Sequence, residues 1–174
     1  MIGLEKGIVR VVPHHPSLLD AFEQERRVIQ EHIGGHVLDI QHVGSTAVPG
    51  LDAKPIIDIA AAVVSPAVIA GCSQQLCGLG YIDRGDAGTE GGYLFVKVRL
   101  PEVRTHHLHV VAIDDPQWRN YLRFREILRA DERARARYGQ LKKNLQEQFP
   151  QDRHAYTDGK IDFIRGVLAE VSYP

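Results

Sequence analysis

Pro55 to Val64 reads PIIDIAAAVV, ten residues with a single charged side chain, Asp58. Successive side chains of a strand point to opposite faces, so an alternating pattern marks one buried face and a continuous apolar run marks two. This run therefore suits a central strand of a sheet, buried on both faces. The 174 residues suffice to supply flanking strands and covering helices within one domain, 1–174. Asp58 is anomalous on such a strand. An unpaired carboxylate in an apolar layer is costly, so it is expected at a strand end or against something cationic.

The rest of the chain supplies the other layers. Ile8 to Val12 is a short apolar run, a strand or an extended arm. Pro16 opens a helix to about Ile33, with Leu18, Leu19, Phe22, Val28, Ile29 and Ile33 at roughly helical spacing, and Gly34-Gly35 stops it. His36 to Val43 alternates like a half-buried strand, and Gly44 to Lys54 is a loop marked by Pro49 and Gly50. Pro66 starts a second helix to about Gly80, and Tyr81 to Asp83 begins a strand. Asp86 to Gly92 is a glycine-rich turn. Tyr93–Val98 and His106–Val111 pair as strands, joined by a loop from Arg99 to Thr105. From Pro116 onward the pattern is helical. Trp118, Tyr121, Leu122 and Leu128 mark one buried face, a second helix runs from about Glu132 to Gln148, and Pro150 breaks it. The last helix carries Phe163, Ile164, Val167, Leu168 and Val171. The expectation is an α/β (α+β) fold, a mixed β-sheet backed by helices, with a helical C-terminal third.

A formal net charge of −1 gives no bulk attraction to nucleic acid or to an anionic membrane. No apolar run spans a bilayer and the N-terminus lacks a signal core, so a cytoplasmic location is expected. Cys72 and Cys77 lack zinc spacing and are read as buried thiols. Seven arginines between Arg119 and Arg137 read as a solvated helix face rather than a nucleic-acid surface.

The chemistry gathers between His42 and Val64. A strand ends in Gly44-Ser45, a loop follows, and the next strand carries Asp58. Glycine allows a phosphate to approach the backbone, and the amides with the Ser45 and Thr46 hydroxyls can donate to its oxygens. Asp58 can hold a divalent metal, and Lys54 can add a positive charge to a phosphate. The same residues also fit a plain turn with Asp58 paired to Lys54 or an arginine. His107 and His109 lie two apart on a strand and share a face. With Asp58, and with His42 near the end of the preceding strand, they can ligate a transition metal; equally, they can be hydrogen-bonded strand residues lining a polar cleft.

The run HVGSTAVPGLDAKPIIDI closely resembles the signature of the GrpB-like family. THHLHVV, Trp118 with Phe124-Arg125, Tyr156-Thr157 with Lys160, and Phe163-Ile164 follow that family in the same order, from about Ile8 to Val171. The resemblance implies a nucleotidyltransferase-like fold. It makes Gly44 and Ser45 the phosphate-loop pair and Asp58 the first of a carboxylate pair that holds magnesium or manganese beside a nucleoside triphosphate. Position 60, where the second carboxylate should stand, is Ala60. Lys142 and Lys160 are candidates to reach the phosphates, and Tyr156 to stack on a base. A histidine-triad hydrolase is set aside, because the third histidine it needs falls on Val111. Two readings stay open: an enzyme moving a nucleotidyl group to a small acceptor, and a module that binds a nucleotide or phosphorylated metabolite without turnover. Acceptor, nucleobase and oligomeric state are not encoded in any motif.

Overall fold

In a computed structural model that describes residues 2–86, 92–99 and 102–170, six strands form one mixed sheet. The elements are β1 (Leu4–Glu5), α1 (Ser17–Ile33), β2 (Val37–Val43), β3 (Ile57–Val63), α2 (Ile69–Gly78), β4 (Tyr81–Asp86), β5 (Tyr93–Arg99), β6 (Val103–Ala112), α3 (Pro116–Ala130), α4 (Glu132–Gln148), α5 (Arg153–Asp158) and α6 (Ile161–Glu170). The strand order is β2-β3-β6-β5-β4, with β1 pairing the start of β6. Only β3 and β6 run parallel; the other pairs are antiparallel.

The run at Pro55–Val64 becomes β3, an interior strand buried on both faces along nearly all its length. Ile57, Ile59, Ala61 and Val63 meet Phe22, Ile29 and Ile33 of α1 and Leu76 of α2. Ala60 and Ala62 face the other way, against Val43, Val111 and Trp118 of α3. Beyond that face α3, α4 and α6 close a third cluster over the loop residues Val48 and Leu51.

The helical third is set by aspartate caps. Asp115, Asp131 and Asp152 each accept backbone N–H groups at the start of α3, α4 and α5. The short α5 had no periodic signal of its own and was not expected. Ile8–Val12 is an extended arm whose Val12 bridges to Ala53. The strand expected at His106 starts earlier, at Val103. The turn expected at Asp86–Gly92 lies mostly outside the described residues, as does Val171. On α1, Leu19 is exposed and Glu25 takes the inward place. Cys72 is buried but Cys77 is exposed, since five residues along a helix point them apart. Among the described residues no helix is long and apolar enough to cross a membrane.

Glu25 ties α1 to the far side of the sheet. Its carboxylate accepts from Tyr81 Oη at 2.8 Å and from Lys97 Nζ at 2.8 and 2.9 Å. Glu25→Ala leaves both donors without it and is expected to cost about 3 kcal/mol in urea unfolding. A Glu25→Leu, Lys97→Leu double variant should recover much of that; no recovery would mean the pair matters through more than its burial.

Candidate functional site

Strand register decides which groups meet. Asp58 lies directly across from His107 in the parallel β3–β6 ladder, and Ala60 across from His109. All four therefore face the α3 side of the sheet. His107 Nδ1 is 3.0 Å from Asp58 Oδ1. An ionised carboxylate can only accept, so the imidazole proton sits on Nδ1 and Nε2 is left bare. Burial opposes ionisation of Asp58, but the His107 hydrogen bond and the positive charge of Lys54 hold it well below the usual carboxylate range. Its side chain keeps 32% of its surface exposed, so the carboxylate faces an opening at the surface rather than the sealed core.

Gly44, at φ +68°, packs against this carboxylate. A Cβ built there would lie 2.6 Å from Asp58 Oδ2 and 3.0 Å from Asp58 Cβ. The glycine is thus required by its backbone conformation and by the aspartate it touches. Ser45 follows, and its side chain lies beside buried Tyr138 on α4.

Cations surround Asp58. The ammonium groups of Lys54 and Lys160 lie 4.8 and 4.9 Å from the centre of the Tyr156 ring. Lys142 Nζ lies 4.9 Å from the centre of the Tyr138 ring and donates to the carbonyl of Asp52. Arg153, capped into place at the start of α5, has a buried Nη1 with no hydrogen-bond partner among the described residues. Burial, then repulsion from Lys160 and Arg153, lowers Lys54 from 10.5 to about 7. Burial, then Lys160, lowers Lys142 from 10.5 to about 7. Burial and Arg153 lower Lys160, and burial and Arg104 bring Arg153 to about 10.

The structure thus brings together Gly44, Ser45, Lys54, Asp58, His107, Lys142 and Lys160, and corrects four expectations, those for His42, Thr46, Tyr156 and His109. His42 pairs with Ile59, one residue out of phase with Asp58, and so points to the opposite face. There it stacks on Phe22 at 4.7 Å, and burial brings it to about 4. Its Nε2 lies 3.0 Å from the Thr46 hydroxyl, so Thr46 is buried with His42 rather than offered to a phosphate. Tyr156 is 1% exposed beneath two lysines and has no ring face for a base. His109 packs on Tyr121, with ring centroids 5.2 Å apart, and burial brings it to about 4.

A divalent metal fits these residues poorly. Among the described residues no three His, Cys, Asp or Glu side chains are placed to hold an ion. On this face of β3 the carboxylate is Asp58, already hydrogen-bonded to His107, and Ala60 is fully buried.

Two arginines taken from sequence as a solvated face prove structural. Arg125 Nη1 donates to the His42 carbonyl at 2.7 Å, and Arg129 donates to the Ala47 carbonyl at 2.8 and 3.1 Å. They grip the Gly44–Ala47 turn from behind. Their i, i+4 spacing was the only signal that they share a target.

The mixed sheet with its helical end superposes on Cid1 poly(U) polymerase, solved with MgGTP bound, over 79% of this chain and 44% of that one, with a TM-score of 0.51 and 11% identity. At that identity the likeness is one of fold, and the fold is nucleotidyltransferase-like. The chain itself belongs to the GrpB family, whose sequence profile, described as GrpB protein, matches residues 8–170. The glutamate-rich protein GrpB of Alkalihalophilus pseudofirmus is 36% identical over 174 residues, 98% of this chain and 100% of that protein. The crystal structure of the conserved protein GrpB from Enterococcus faecalis matches with a TM-score of 0.84 and 31% identity, covering 92% of this chain and 96% of that one.

Gly44→Ala should destabilise the protein by about 2 kcal/mol or more, through positive φ and the contact with Asp58. Adding Asp58→Ala should relieve the contact but not the φ strain, and urea midpoints would separate the two. Lys142 supplies a pH signature. Between about 7 and 10.5 the unfolded chain holds a proton that the folded one has released. Stability of the ligand-free protein therefore rises with pH across that window, at up to about 1.4 kcal/mol per pH unit for one amine. Below pH 7 the full penalty is present. Thermal midpoints in low-salt buffer should climb from pH 7 to about 9.5, less steeply in Lys142→Met; equal slopes would place Lys142 outside the charge cluster.

Proposed function

We propose that this cleft binds a phosphorylated small molecule of the nucleoside triphosphate class. The observation that carries the reading is the convergence of Lys54, Lys160 and Arg153 near Asp58: the two ammonium groups share the Tyr156 ring, and Arg153 keeps a buried Nη1 without a hydrogen-bond partner among the described residues. Like charges gathered in a poorly hydrated site raise the energy of the free protein. An anion with several oxygens offsets that cost with charge-assisted hydrogen bonds. The Ser45 turn, gripped by Arg125 and Arg129, is a rigid edge for the same ligand. The likeness of fold to a polymerase solved with GTP favours a nucleotide over a bare phosphate.

A second reading is nucleotidyl transfer to a small acceptor. It is favoured by the ionised Asp58, open to the cleft beside the Gly44-Ser45 turn. Pyrophosphate release with candidate acceptors tests it, compared with Asp58→Ala.

Thermal melting tests the binding reading. A nucleoside triphosphate at about a hundred times its Kd stabilises the native state by about 2.7 kcal/mol. In a chain of this size that is a rise of roughly 5–10 °C. Lys160→Met should lose most of the rise, and the bare nucleoside should give little. If no nucleotide or sugar phosphate shifts the midpoint, the cleft is not a phosphate site.

A further inference from the structure

The carboxylates around the cleft are already engaged. Asp58 Oδ1 holds His107, and its Oδ2 is turned toward the Gly44 backbone. Asp52, at the rim, holds Lys143 Nζ at 2.7 Å through its side chain and Lys142 through its carbonyl. Ala60 has no oxygen to offer and is sealed beneath Trp118. The cations are arranged the opposite way. Lys54 and Lys160 share the Tyr156 ring, and Arg153 keeps a buried N–H without a hydrogen-bond partner among the described residues. A ring face steers an ammonium group but does not satisfy its hydrogen-bond donors. Magnesium asks for hard oxygen ligands and keeps its waters, and here it would enter a field of like charge. Phosphate oxygens ask for the donors that are present.

We propose that the ligand's polyphosphate sits directly on Lys54, Lys160 and Arg153, with no divalent metal between it and the protein. The inference deepens the reading of the cleft as a phosphate site and rests on it. Asp58 in this arrangement orients His107 and limits the positive charge. It is the one unfavourable contact the polyphosphate meets, and removing its charge strengthens binding.

Calorimetric titration with ATP and with inorganic tripolyphosphate, in excess EDTA and in saturating magnesium or manganese, tests this. Both probes should bind in EDTA, and binding should weaken steeply with salt. Magnesium should weaken it several-fold by neutralising the ligand. Lys54→Met and Lys160→Met should each weaken binding in EDTA about tenfold or more. Asp58→Asn should tighten it several-fold, a gain that a misfolded variant cannot produce. Binding that appears only with a divalent ion, or that Asp58→Asn abolishes, overturns the metal-free arrangement and leaves the phosphate site standing. Absence of binding by either probe under every condition removes both.

Discussion

Asp58 is held between two neighbours that no short-range pattern joins. Strand pairing sets it beside His107, and the preceding strand ends so that Gly44 turns against its free oxygen. The histidine fixes the carboxylate's orientation and keeps it ionised, while the bare Cα of Gly44 gives it room. From that contact the turn passes to Ser45, from Ser45 to Tyr138 on α4, and from there to the lysines that frame the cleft. A larger residue at 44 would move all of these together, because close-packed interiors transmit displacement rather than absorb it.

The cleft is assembled at a cost in stability. Burial first, and repulsion between neighbouring cations second, lowers Lys54 and Lys142. The surrounding structure has to hold them there. Tyr138 and Tyr156 lie under the ammonium groups, Asp152 caps the helix that carries Arg153, and Arg125 with Arg129 fixes the turn opposite. Strain of this kind is tolerated where a ligand relieves it, and such sites trade stability for readiness to bind.

Periodicity carried much of the fold. The unbroken run of β3 required two covering layers, and α1 and α2 on one side with α3 on the other are those layers. It missed what has no period: β1, two residues long, and α5, six residues long and set by the Asp152 cap. At the site, the pairing of Asp58 with His107 follows from a register that no local motif specifies. His42 was misplaced for the same reason, since a shift of one residue exchanges the faces of a strand. The lysines were found singly. Their convergence was not legible, because Lys54, Lys142 and Lys160 come from distant segments that only tertiary packing joins.

Ala60 ties the departure from the two-carboxylate pattern to the surrounding packing. It stands on the same face as Asp58 but one step deeper, in contact with Val43, Ala62, Val111 and Trp118, and it is fully buried. A carboxylate there would be ionised inside an apolar layer, with His109 as its cross-strand neighbour. That histidine is itself held neutral by burial and packs on Tyr121, as suits a layer built without charge. The substitution is therefore not isolated: β3, β6 and α3 close around position 60, and the polar cleft begins one pleat away at Asp58. Where the two-carboxylate pattern puts a second acid, this strand has a buried methyl group, and the charged side chains nearest Asp58 include the Lys54 and Lys160 amines over the Tyr156 ring.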